Sequence, residues 1–364
     1  MLKTLCRRQF FVAGALAGVV GALGMPAQAQ TVIPMVAIDG YPANSMWVKE
    51  FSEFFIPRVN ERLAATGTYS IAWQEAYGGQ IVKPRGVLEG IKLGLGDIGI
   101  VTTIFHNSAL PSQAISGVTP FVSADARVVA RAVDEIATEF PATLEEYAAE
   151  NQVYLATAVV LDTYQVFSKN QLTDVSDLEG LKVAGAGINL RYLEGIPNAA
   201  GVQGGLTDFY NMLQTGVVDA ALLWPEAANT YKIAEVAPFM LRADLGAVNT
   251  KTVTVNADTW AKLPEEVRTV LREVAIQYRD RVADVAMEEA AASVAAYVAA
   301  GGTVTDLSPE ARSAWANSMP DIATEWAAGL DAVGRPGTAM LQAYMAKLRA
   351  AGQVPARNWD GAPS

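Results

Sequence analysis

Cysteine occurs once, at Cys6, and histidine once, at His106. A single cysteine so close to the start leaves the body of the chain with no disulfide, no thiolate nucleophile and no cysteine metal ligand. A single histidine excludes multi-histidine metal sites and the H-E-x-x-H motif. A Ser–His–Asp arrangement would have to use His106, and no G-x-S-x-G accompanies it. The phosphate-cradling G-x-x-x-x-G-K-[ST] loop is missing too. Gly185-Ala186-Gly187 follows a predicted strand, but Leu190 stands where a dinucleotide fingerprint needs its third glycine. Beyond residue 29, no stretch offers the roughly 20 predominantly apolar residues of a membrane helix.

Positive charge is also scarce, with 27 basic residues against 38 acidic ones. Three of the basic residues fall within 1–29, so the remainder holds 24 against 38, a formal charge of −14. Such a surface repels nucleic acid, and no basic cluster offsets it. It repels small anions as well, so an anion site would have to rest on a local cation, a helix N-terminus or backbone amides.

Residues 1–29 have the parts of an export signal. Lys3, Arg7 and Arg8 make a basic start, Phe10–Gly24 is an uncharged, mostly apolar run, and Ala27-Gln28-Ala29 is a small-x-small exit. The Arg7-Arg8-Gln9-Phe10-Phe11 stretch resembles a twin-arginine signal, and an ordinary Sec signal with two adjacent arginines is the alternative. Either way the expected product starts near Gln30, lies outside the cytoplasm and needs no membrane span. Its roughly 335 residues suffice for two lobes.

Past the signal, β-rich and helical segments alternate. Val32–Ile38 reads as a strand. Met46–Leu63 carries Trp47, Phe51, Phe54, Phe55, Val59 and Leu63 at helical spacing, with a kink or break expected at Pro57. Tyr69–Glu75 reads as a strand, Ile81–Leu93 as a helix stopped by Gly94, and Ile98–Ile104 as a strand. Strand and helix continue to alternate through 153–167, 181–184 and 217–224. This pattern predicts an α/β protein with mostly parallel sheets.

One element repeats. A helix, a glycine, an aspartate and a strand occur over Val87–Ile100 and again over Asp208–Leu222, with Gly94…Asp97 and Gly216…Asp219 at equal spacing. A left-handed glycine ends a helix, and an aspartate satisfies backbone donors in the tight turn that follows. The echo implies two similar lobes whose strands end at Thr102-Thr103 and at Trp224-Pro225-Glu226. Ligands in open α/β sheets sit beyond such ends. Pro264–Ala300 is the longest helical run, and Val267, Val270, Leu271, Val274, Tyr278, Val282 and Val285 give it one apolar stripe. A helix of that length is expected to brace both lobes, with helices bearing Trp315 and Trp326 packed outside.

An exported, two-lobed chain poor in catalytic groups points to a binding protein. Several stretches resemble the solute receptors of tripartite ATP-independent periplasmic (TRAP) transporters, of the C4-dicarboxylate-receptor type. They are Gly79-Gln80…Val87-Leu88-Glu89-Gly90-Ile91…Gly96-Asp97-Ile98, Thr119-Pro120-Phe121-Val122, Asp177–Val183, Tyr210–Asp219 and Val255–Pro264. The resemblance implies a two-lobed periplasmic-binding-protein fold with an interlobe cleft. It divides the chain into a signal (1–29), lobe I (30–157, with a return segment at about 248–272), lobe II (158–247), the bracing helix (264–300) and C-terminal helices (303–364). The implied function is capture of a small organic acid for a TRAP membrane permease, without cofactor, metal or catalysis. A receptor of another importer class, or an exported α/β enzyme using His106, are the alternatives.

In that family an arginine directly after the D-L-x-G-L-K-I stretch clamps the ligand carboxylate, and here the position is Ala184. Arg191 either replaces it or is a surface charge. The expected ligand residues are Thr102, Thr103, Tyr164, Gln165, Arg191, Trp224, Glu226 and Asn249, with Tyr41 or Trp73 as further walls.

Overall fold

Strands of the alternating pattern form two separate sheets in the computed structural model, which describes residues 30–362. The export signal read over 1–29 lies outside the described residues. The strands are β1 (Thr31–Ile38), β2 (Tyr69–Ala76), β3 (Ile98–Thr102), β4 (Gln152–Ala158), β5 (Gln165–Ser168), β6 (Lys182–Gly185), β7 (Ala200–Gln203), β8 (Ala220–Leu223), β9 (Phe239–Arg242), β10 (Lys251–Asn256) and β11 (Thr303–Asp306). One sheet has the order β2-β1-β3-β10-β4, the other β11-β9-β5-β8-β6-β7.

With β11 set aside, the sheets match strand for strand: β7-β6-β8-β5-β9 corresponds to β2-β1-β3-β10-β4. Parallel pairs occur at the same places in both, and parallel is the commoner pairing overall. The antiparallel pairs all involve β5 or β10. These are the two strands that an extended crossing leads into from the other sheet; β11, which follows β10 through the long helix, is parallel. Each lobe is thus a βα unit completed by a strand from the opposite direction. No helix joins β4 to β5, contrary to the alternation expected there; an extended crossing does.

The repeated Gly-x-x-Asp has one structural purpose in both lobes. Gly94 and Gly216 are left-handed, with φ of 71° and 73°. The carboxylate of Asp97 accepts the Val36 N–H of β1 at 2.7 Å, and that of Asp219 accepts the Lys182 N–H of β6 at 2.9 Å. Each aspartate therefore pins the start of its strand to the parallel neighbour, rather than closing only its own turn. Asp97 also accepts the Thr259 hydroxyl at 2.6 Å.

The helix over 46–64 is continuous but contains a π-helical turn, Phe51–Phe55, immediately before Pro57. Proline has no N–H to give and its ring crowds the preceding turn, and the extra residue opens the backbone there. The helix expected from Ile81 starts later, at Val87, after a 3-10 turn Pro84–Gly86. Pro84 holds Lys83 extended and so delays it. The long helix, Glu265–Ala299, runs about 52 Å at ~1.5 Å per residue and buries the whole expected stripe. In its first half the Tyr278 hydroxyl donates to Trp47 O of the first lobe at 2.6 Å, and near its end Tyr297 donates to Ala237 O of the second at 2.7 Å.

The C-terminal segment is not an outer layer only. It first adds β11 to the second sheet. Trp315 is then buried, its indole donating to Tyr192 O at 2.8 Å, and Trp359 donates to Pro120 O at 2.7 Å. This segment ties the lobes together a second time.

Removing the aspartate pins should cost stability without touching the cleft. Asp97→Ala loses two carboxylate hydrogen bonds and Asp219→Ala loses one, each worth about 1.5–3 kcal/mol. Urea denaturation should therefore show the larger loss for Asp97→Ala, at an unchanged m-value.

Candidate functional site

The two crossings, residues 159–164 and 243–250, lie side by side and bond to each other. Tyr164 N–H donates to Gly246 O at 3.2 Å, Leu245 N–H to Tyr164 O at 3.1 Å, and Gly246 N–H to the Thr163 hydroxyl at 2.9 Å. Gln165 completes the hinge. Its side-chain oxygen accepts the N–H groups of Ala243 and Asp244 at 2.7 and 3.0 Å, and its amide donates to the Asp244 carboxylate at 2.8 Å. Those bonds use the Gln165 side chain on the backbone, away from any ligand.

Above this hinge the lobes enclose about 350 Å³ of space not filled by protein atoms. Tyr41, Thr102, Ile104, Phe105, Thr250 and Lys251 form the first lobe's wall. Facing them are Tyr164, Ala186, Asn189, Leu206, Phe209, Leu222 and Trp224. That space is partly open to solvent, and between the closed walls there is free room for only one or two water molecules, so a solute has to part them further. Tyr164 and Trp224 meet edge to face at 5.9 Å.

The lobes are closed over it. The Arg85 guanidinium donates to Gly204 O across the mouth at 3.2 Å and lies 4.0 Å from the Phe105 ring centre. Gly187, at φ 55°, presses so near the first lobe that a Cβ on it would stand 2.1 Å from the Ile104 carbonyl oxygen.

Lys251 is the cation in the wall. It is 2% exposed, and its ammonium donates to the Thr102 hydroxyl at 3.0 Å. The rings of Tyr41 and Trp47 lie 4.6 and 4.3 Å from Nζ, supplying cation–π stabilisation. Behind Trp47, buried Asp39 accepts the Tyr41 N–H at 2.7 Å and the Trp47 indole N–H at 3.2 Å. Burial pushes the Asp39 carboxyl up and the Lys251 amine down, while each one's charge favours ionisation of the other. Two further polar atoms of the wall, Thr250 Oγ1 and Asn189 Nδ2, the latter beside the Tyr164 phenol, are buried with no partner at hydrogen-bonding geometry among the described residues.

Of the residues singled out from sequence, Thr102, Tyr164 and Trp224 line the cavity, and so does Tyr41. Thr103 lies just beyond it, buried, with Oγ1 unpartnered. Glu226 stands behind Trp224, accepting its indole N–H at 3.0 Å and the Thr230 hydroxyl at 2.8 Å, and burial raises its pKa. Asn249 is turned into the first lobe, with its N–H on the Ser116 hydroxyl and its amide on Gln113. Its successors Thr250 and Lys251 face the cavity instead. Arg191 is carried away by the turns of Gly187–Leu193 and pairs with Glu194 and Glu325, each at 2.8 Å. Ala184 is fully buried in β6. Trp73 donates to Asn60 on the far side of β2. His106 is outside the lining, and burial and the nearby Arg85 lower its pKa. Among the described residues no group of three His, Cys, Asp or Glu side chains is arranged to hold a metal ion. Lys251, Asn189 and Phe209 were missed, and the alternating polar residues of Lys251–Asn256 pointed to a half-exposed strand rather than to a buried cation.

A cavity walled by both halves of a hinged molecule, reached by parting them, is the design of a solute-binding protein. Residues 39–329 match the family described as bacterial extracellular solute-binding protein, family 7 (DctP), and the chain belongs to that family. It is similar to the C4-dicarboxylate-binding periplasmic protein DctP of Rhodobacter capsulatus, 31% identical over 169 residues, covering 45% of this chain and 50% of the relative. The match thus spans about half the length of that curated relative. Solved folds agree over more of the chain. A TRAP solute-binding protein of Rhodoferax ferrireducens, in complex with copurified benzoate, has a TM-score of 0.78 at 20% identity, covering 88% of this chain and 98% of its own. One of Desulfovibrio salexigens with bound orotic acid has a TM-score of 0.74 at 18% identity, covering 87% and 99%. The two-lobed α/β fold with an interlobe cleft is therefore that of the TRAP receptors.

Closure itself is open to a direct test. In Gly187→Ala the added Cβ collides with Ile104 O and the left-handed backbone is strained. Solute affinity should fall by more than about tenfold, a loss above ~1.4 kcal/mol. Isothermal titration checks the affinity, and far-UV circular dichroism should be unchanged.

Proposed function

We propose that this chain is an extracytoplasmic solute receptor that captures one small organic acid or related solute between its lobes and delivers it to a TRAP-type membrane permease. The observation that carries this reading is the cavity wall, drawn from both lobes at the ends of matching strands. A solute held there touches both lobes only when they are closed, so binding shifts the population towards the closed form. A permease that engages the closed form then receives loaded receptor in preference to empty.

No reaction is assigned to the cavity. Its titratable side chains are Tyr41, Tyr164 and Lys251, and burial raises both phenols so that they stay protonated. The phenols offer no nucleophile, and the lining gives the Lys251 amine no carboxylate or imidazole as an acid–base partner. His106, on which an exported α/β enzyme would depend, is outside the lining. The export signal read over 1–29 supports a periplasmic site of action. The organic acids named for the related structures, benzoate and orotic acid, support an acid of similar size here.

The receptor purified without denaturation should carry a solute at one per chain, identified by native mass spectrometry and denaturing extraction. Stripped by unfolding and refolded, it should rebind that solute with the same stoichiometry. In vesicles containing a TRAP permease from the same organism, uptake of the solute should require the loaded receptor. Turnover of the solute by the receptor alone, or uptake indifferent to its presence, contradicts the proposal.

A further inference from the structure

We infer that Lys251 is the anion anchor of the cavity and that the solute is a monocarboxylate with a flat, largely apolar body. The inference rests on the receptor reading above and adds to it the class of ligand.

An ammonium carries three N–H donors, and Lys251 gives one of them to Thr102 Oγ1. Its other neighbours are the faces of Tyr41 and Trp47, which attract a cation but do not accept a strong hydrogen bond. Nor does Asp39 use those donors: its oxygens accept Tyr41 N–H and Trp47 Nε1–H, and it acts on the lysine through charge alone, without a direct hydrogen bond. Burial works against the ammonium, Asp39's charge opposes that from a distance, and a bound anion would favour the charged form further and take the donors that remain. Asn189 Nδ2 and Thr250 Oγ1, both buried in the same wall with no partner at hydrogen-bonding geometry among the described residues, add two further groups that an oxygen can satisfy. A carboxylate is the group that uses an ammonium, an amide N–H and a hydroxyl together. Three buried groups left without it would otherwise be a standing cost.

The remaining wall has no second site for charge. Phe105, Tyr164, Phe209 and Trp224 present rings, and the Trp224 indole N–H is already committed to Glu226. The next cation, Arg85, lies outside the lining, bonded to Gly204 O over the Phe105 ring. Asp39 on one side and Glu226 on the other make a second negative charge unwelcome. A dicarboxylate would bury that charge unpaired, which a closed cleft strongly disfavours. Flat apolar bodies, in contrast, match aromatic walls and a small volume. Lysine in place of the family's forked arginine suits a single point contact with one carboxylate better than a bidentate clamp.

The test is a titration of the refolded, ligand-free receptor with matched probes. Benzoate, cyclohexanecarboxylate, 4-hydroxybenzoate and pyroglutamate serve as monocarboxylates, phthalate and succinate as dianions, and benzamide as a neutral isostere. At least one monocarboxylate should bind, and both dianions should bind more than about tenfold more weakly than it. Lys251→Met should weaken that monocarboxylate by more than about tenfold while leaving benzamide within about threefold of wild type. Since Lys251→Met leaves Asp39 buried without its cation, the double variant Asp39→Asn/Lys251→Met keeps the comparison possible if the single variant does not fold. The inference is overturned if phthalate or succinate binds as well as the best monocarboxylate, if no monocarboxylate binds, or if the lysine variants keep monocarboxylate affinity. A copurified solute of another class overturns it as well and leaves the receptor reading standing. Absence of any copurified solute together with no response to any probe removes both.

Discussion

The chain must pass between its lobes as extended strands, and the rest of the architecture follows from that constraint. Leaving β4 and β9, it enters the opposite sheet as β5 or β10, and both run antiparallel to the strands already there. Two extended segments that cross one gap side by side can satisfy their backbone groups on each other, as Tyr164, Leu245 and Gly246 do. The crossing is therefore bonded within itself yet only two segments wide, which is what a hinge requires. The cavity sits directly over it, and the residues flanking each crossing, Tyr164 before β5 and Thr250-Lys251 at the head of β10, become its floor and its charge.

Other ties limit how far the lobes can part. The helix Glu265–Ala299 is anchored to the first lobe through Tyr278 and to the second through Tyr297 and the Asn229 contact with Ser293 O. Arg312, from the C-terminal segment, donates twice to Asp244 O at the crossing itself. Against these, the closed face is held by few contacts, chiefly Arg85 on Gly204 and the packing of Gly187 on Ile104. Nearer the crossing Tyr192 donates to Gly117 O at 2.8 Å, and over the wall itself a solute that satisfies Asn189 and Thr250 adds to the stability of the closed form.

Elements defined by local pattern were legible in the sequence. The long helix shows a strict three- and four-residue apolar spacing, and β1 and β2 are bounded by turn residues, so their ends fall within about a residue or two of expectation. The Gly-x-x-Asp echo revealed the repeat of the lobes because it marks the same joint in each. The cation of the site was not legible. Lys251 opens Lys251–Asn256, whose alternating polar residues suggest a half-exposed strand, yet every one of them is buried. The polar side chains are accommodated by partners distant in sequence, such as Tyr147 for Thr252 and Gln152 for Thr254. Arg191 drew attention by its nearness in the chain to Ala184, but short 3-10 turns separate neighbours in sequence as readily as sheets unite strangers. Gln165 and Asn249, expected as ligand residues, lie at the crossings, where their side chains serve the hinge and the first lobe's interior instead of the cavity.

The account stands on the claim that the lobes close around a solute by bending at the paired crossings. Small-angle X-ray scattering of the stripped receptor, with and without its copurified solute, measures this most directly. A smaller radius of gyration on loading, with an unchanged monomer mass, is the expected result. Identical scattering at saturating solute would contradict closure, and with it the role given to the hinge and to the two-sided wall.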